Sequence, residues 1–134
     1  MQDYAAERIR NLLARFVFEL NRASKSGRDP DAIHTLRVSV RRLGLALRAF
    51  HQFFPAKPVK KVRRRLRRLM RFAAEVRDRD VALRVLDRAG AGKSALAAEL
   101  RQERKAAERS LTAELRAWSA ESFSSKWRSA LQLL

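Results

Sequence analysis

The sequence predicts an all-α protein, an antiparallel helical bundle of about five to six helices in which residues 1–134 form a single domain. Three observations carry this. Apolar residues recur three and four positions apart along most of the chain, the spacing of one face of an α-helix. No stretch alternates apolar and polar residues between hairpin signals, so strands find no support. The four Gly and three Pro are sparse punctuation, and all but Gly44 fall between or at the ends of the periodic segments.

The first segment runs from about Tyr4 to Ala23, with Ile9, Leu13, Phe16, Leu20 and Ala23 on one stripe. SKSGRDPD closes it, and Asp29 followed by Pro30 reads as an N-cap with a first-turn proline. The second carries Leu36, Val40, Leu43, Leu47, Phe50 and Phe54 until Pro55 and Pro58 end it. A third, from about Pro58 to Val76, presents Val59, Val62, Leu66, Leu69, Ala73 and Val76. A short fourth is expected from Val81 to Ala89, with Asp80 as its cap and Asp78 orienting a neighbouring arginine, before the AGAG turn. The fifth extends from about Ser94 to Ala120, and FSSKWRSALQLL forms a terminal helix. Trp118 and Trp127 are expected to fill the bundle core or an interface rather than to stack on bases.

Charge separates this chain from an ordinary bundle. Thirty-one Lys and Arg face fourteen Asp and Glu, a net charge of +17. Such a chain attracts polyanions, whether nucleic acid, anionic lipid or a phosphate polymer. Cysteine is absent, which excludes disulfides, thiolate metal sites and a Cys nucleophile. The opening MQDYAAERIR lacks the apolar core of a signal peptide, and no apolar run approaches the roughly 20 residues of a membrane span. The expectation is a soluble, cytoplasmic protein with no membrane partner.

The positive charge is concentrated. From Ala32 to Ala74 there is no Asp or Glu, while thirteen Lys and Arg stand in the same span. At about 100° per residue, His34, Arg37, Arg41 and Arg48 share a stripe on the second helix, and Lys60, Arg64, Arg67 and Arg71 share one on the third. Side by side, these ridges would flank a groove, with Arg42 and Arg68 in the same acid-free zone. Arginine outnumbers lysine twenty-four to seven, and guanidinium forks match phosphate oxygens with paired hydrogen bonds. The phosphate could belong to DNA, RNA, a lipid headgroup or a polyphosphate. A basic helical protein that binds nucleic acid is the alternative, but the stripes interleave no aromatics suited to base stacking. The chain offers no Gly-rich phosphate loop, no nucleophile with its base and no acidic cluster for metal ions. No enzyme, catalytic residue, metal site or cofactor is expected.

The string IHTLRVSVRRLGLALRAFHQFFP, followed by VRDRDVAL, closely resembles the signature of CHAD domains, the conserved histidine α-helical domains. His34, Arg37, Arg41 and Arg42 match the H-x-x-R-x-x-x-R-R helix, with Gly44 where the family usually has another arginine. Arg77, Asp78, Asp80 and Val81 match the R-D-x-D-V segment. LRQERKAAERSLTAEL resembles the family's fifth helix, with Arg101, Arg104 and Lys105 at its basic positions. The resemblance implies a non-catalytic bundle that binds inorganic polyphosphate in a basic groove and associates with polyphosphate granules. It also implies an arrangement in two similar halves, of which this chain matches one. Two copies are therefore expected to pair as a homodimer that completes the groove, through an apolar surplus at Phe50, Phe53, Phe54 and the terminal FSSKWRSALQLL.

Overall fold

The computed structural model describes residues 1–26 and 29–133. Among these residues five α-helices follow one another: α1 Gln2–Lys25, α2 Pro30–Ala49, α3 Ala56–Arg88, α4 Ala95–Ala120 and α5 Phe123–Ala130, with a 3-10 turn at His51–Phe53 before α3. Each long helix packs against its neighbour in sequence, and α4 returns to α1, so the first four close an antiparallel bundle. The short α5 folds back against α1 and α3.

Local sequence explains most boundaries. The Asp29 side chain accepts from the Asp31 N–H at 2.9 Å, with Pro30 opening α2 as expected; Gly27 and Arg28 of the preceding loop lie outside the described residues. Pro58 is tolerated inside the first turn of α3, where backbone N–H groups have no helical acceptor. Ser94 caps α4 by accepting from Ala97 N at 3.2 Å. Gly90 stands at φ +76° after the last turn of α3, while Gly90 N–H reaches the Asp87 carbonyl and Ala91 N–H the Leu86 carbonyl. That paired arrangement is the Schellman stop, and its left-handed residue favours glycine.

The core is formed largely by the stripes expected on the first three segments, joined by Ile33 of α2 and by the second half of α4, whose first-turn Leu96 stays exposed. Ile9, Leu13, Phe16 and Leu20 of α1 meet Ile33, Leu36, Leu43 and Leu47 of α2, Leu66 and Leu69 of α3, and Leu111 and Leu115 of α4, all essentially inaccessible. At one end Phe16, Trp118, Phe123 and Trp127 make a cluster with ring centroids 5.0–6.2 Å apart. Arg10 Nη1 donates to the Leu133 carbonyl at 2.7 Å and ties the terminal segment down.

Two expectations are corrected. The third and fourth helices are one helix of 33 residues, because nothing in RDRD breaks it. No Gly or Pro falls between Val59 and Arg88, and Arg79 pairs with Glu75 one turn back at 2.6 Å and with Glu103 of α4 at 3.6 Å. Asp80 therefore sits inside a helix rather than capping one, and Asp78 is exposed with no ion pair among the described residues. The apolar surplus is not on the surface either. Phe54, Phe123, Trp127, Leu131 and Leu133 are buried, and Phe50 and Phe53 pack half-buried against the same core. Among the described residues, the large apolar side chains left exposed are Met1, Tyr4, Phe18, Leu45, Val81, Val85 and Leu96.

The continuous α3 gives the molecule its outline. It is about 50 Å long against about 30 Å for α2. Its buried residues end at Val76, and on α4 only Ala97 is buried before Leu111. The last turns of α3 and the first half of α4 thus project from the bundle as a two-helix arm. Asp80 and Arg104 join its helices by an ion pair, Arg104 Nη1 reaches Glu108 Oε2 at 2.9 Å, and Arg101 donates to the Gly92 carbonyl in the turn.

Candidate anion-binding groove

Helices α2 and α3 lie side by side and leave a groove of about 190 Å3 between them. Arg41 and Arg48 of α2 stand on one wall, Arg63 and Arg67 of α3 on the other, and Val40, Leu45, Leu66 and Met70 supply apolar surface between. Helical spacing explains the convergence. Arg41 and Arg48 are seven residues apart, two turns on one face, and Arg63 and Arg67 are four apart, one turn. Gly44 opens the middle of the groove, where an added Cβ would meet nothing within 4 Å. None of the four arginines makes an ion pair with an acid among the described residues. Arg37, one turn before Arg41, is half-buried, and its Nε lies buried without a hydrogen-bond acceptor.

The other sequence-derived candidates occupy different surroundings. His34 is exposed near the start of α2, on the Arg41 side by helical phase. Arg42 is exposed but does not line the groove, being one residue and about 100° from Arg41. Lys60, Arg64 and Arg71 are exposed on the outward side of α3, away from the core, rather than on the groove wall. Arg68 faces α4, with its Nε 3.4 Å from Glu114 and its guanidinium 5.5 Å from the Phe72 ring. Arg65, in the same acid-free span, pairs with Glu121 at 2.9 Å and stacks on Trp118 at 4.2 Å. The zone that lacks acids in sequence therefore gains two of them in space, on its α4 side. Arg63 belongs to the groove although no stripe opposite the core included it.

Arg77 is half-buried at the root of the arm. Arg101 and Lys105 line a second hollow of about 580 Å3 along α4, together with Arg109, Arg104 and Glu108. Arg104 is engaged within it: its side chain is 16% exposed, Asp80's is 9% exposed, and the hydrogen bond it donates to the Asp80 carboxylate raises the guanidinium pKa above its ordinary value. Arg104 is thus a brace of the arm, held charged at any working pH. No group of three or more His, Cys, Asp or Glu able to hold a metal ion occurs among the described residues. No helix among them is long and apolar enough to cross a membrane.

Among the described residues, α2 and α3 thus frame a basic groove whose lining includes no acid. The CHAD domain family matches residues 5–133, and the chain belongs to that family. CHAD domains are associated with polyphosphate binding. No curated protein and no solved structure matched the chain.

Proposed function

We propose that the chain binds inorganic polyphosphate in the α2–α3 groove and performs no chemistry on it. The observation that carries this reading is the pair of facing arginine rows, Arg41 and Arg48 against Arg63 and Arg67, without an acidic partner. Four like charges held around one narrow space repel one another, and a phosphate polymer relieves that repulsion while accepting hydrogen bonds from each fork. The buried, unsatisfied Nε of Arg37 supports the same reading. An orphan donor costs about 1–3 kcal/mol, a cost accepted where the outer N–H groups serve a ligand. His34, Arg77, Arg101 and Lys105 extend the basic surface beyond the groove, with Arg42, Lys60, Arg64 and Arg71 adding field from outside it. The site is cytoplasmic in this reading, where polyphosphate granules would be its target.

Two copies sharing one polymer form the assembly we propose. Each brings +17, so association without ligand works against repulsion, and a polyanion that spans both removes it. The test of the ligand is competition at fixed salt among long polyphosphate, tripolyphosphate, ATP, single-stranded RNA and duplex DNA. Long polyphosphate should displace the others, because successive phosphates share one ordering cost. Equal or tighter binding of duplex DNA would reject polyphosphate in favour of nucleic acid.

A further inference from the structure

The groove residues centre on Gly44 and Leu45 in α2 and on Leu66 and Arg67 in α3. In antiparallel helices that register brings His34 level with about Arg77 and ends α2 near Val81. The groove wall of α3 does not end there. At 100° per residue, Arg63, Arg67, Arg77, Arg84 and Arg88 fall within an arc of about 100°, with Met70, Ala74, Val81 and Val85 between them. No acid falls within that arc: Asp80 and Asp87 point toward the core side of the phase, and Asp78 lies beyond the opposite edge. Arg84 and Arg88 are exposed, and neither is ion-paired among the described residues. The arm that carries them is braced by Asp80–Arg104 and Arg79–Glu103, so the track has a firm support.

We infer that the groove is the first part of a longer linear track, and that Arg84 and Arg88 on the projecting arm are binding residues for an extended polyanion. The track from Arg63 to Arg88 spans 25 residues, about 37 Å. A chain confined to the groove, such as tripolyphosphate, cannot reach its far end, whereas a long polyphosphate lies along both. The inference rests on the polyphosphate reading of the groove and specifies the ligand's form: extended and linear, with a length threshold. Globular or branched phosphates would gain nothing from the arm.

The test is the double variant Arg84→Ala, Arg88→Ala, titrated with long polyphosphate and with tripolyphosphate across a salt series. Both side chains are exposed, so folding is preserved, which circular dichroism verifies. Long polyphosphate should bind roughly tenfold more weakly, the combined effect of two exposed ion contacts. Its salt slope should fall by about two, and tripolyphosphate binding should not change. Unchanged long-chain binding in the double variant, with the wild type binding tightly, would overturn the track and leave the groove standing. Equal losses for short and long chains would also overturn it, since net charge alone would then explain the effect. Failure of the wild type to bind polyphosphate would remove both readings together.

Discussion

Replacing Arg41 and Arg67 with Ala removes one guanidinium from each wall of the groove and leaves the core untouched, since both side chains are exposed. A hydrogen bond to a charged group contributes about 1.5–3 kcal/mol. Solvent exposure places these two at the low end, so the pair should cost about 3 kcal/mol, on the order of a hundredfold in Kd. The matched control is Arg8→Ala with Arg116→Ala, two exposed arginines without ion-pair partners among the described residues, outside the groove. Both double variants go from +17 to +15, so bulk attraction falls equally. Fluorescence anisotropy with end-labelled long polyphosphate at fixed salt reads the difference. The control should lose less than about threefold, the screened share of two distant charges. Comparable losses in the two variants would refute the reasoning, because binding would then follow net charge and the groove would contribute nothing.

Three further outcomes follow from particular contacts. Arg104→Ala should destabilise the protein by about 2–3 kcal/mol in denaturant unfolding, below the cost of breaking a fully buried pair because Asp80 and Glu108 stay partly wet; an unchanged midpoint would show that the arm needs no brace. Gln132 sits at φ 58° after α5, so Gln132→Gly should stabilise by about 0.5–1 kcal/mol, and a loss would contradict the left-handed stop assigned there. Light scattering across protein concentration should show dimers on adding long polyphosphate; a strict monomer in every condition would sink the shared-polymer assembly.

The helices were legible because each bundle stripe is a run of Leu, Val, Ile or Phe at helical spacing, and Asp29–Pro30 marks a start unambiguously. RDRD misled for a physical reason. Alternating charge resembles a solvated loop, and the partners that make it helical, Glu75, Glu103 and Arg104, lie a turn away or on another helix. The aromatic surplus misled similarly, since a single helix seam has no room for Phe123 and Trp127, but a returning α5 provides it. In the groove, the α2 wall was readable as a stripe and the α3 wall only in part. Choosing residues opposite the apolar stripe selects Lys60, Arg64 and Arg71, which face solvent. A groove between two helices is walled by their flanks, and that criterion finds Arg63 with Arg67.

Arginine footprinting tests the central claim most directly. The protein is treated with an arginine-selective dicarbonyl, with and without saturating long polyphosphate, and modification at each residue is read by mass spectrometry. If polyphosphate lies in the groove, Arg41, Arg48, Arg63 and Arg67 become strongly protected while Arg8 and Arg116 remain as reactive as before. Protection spread evenly over all exposed arginines, or centred away from α2 and α3, would contradict the account.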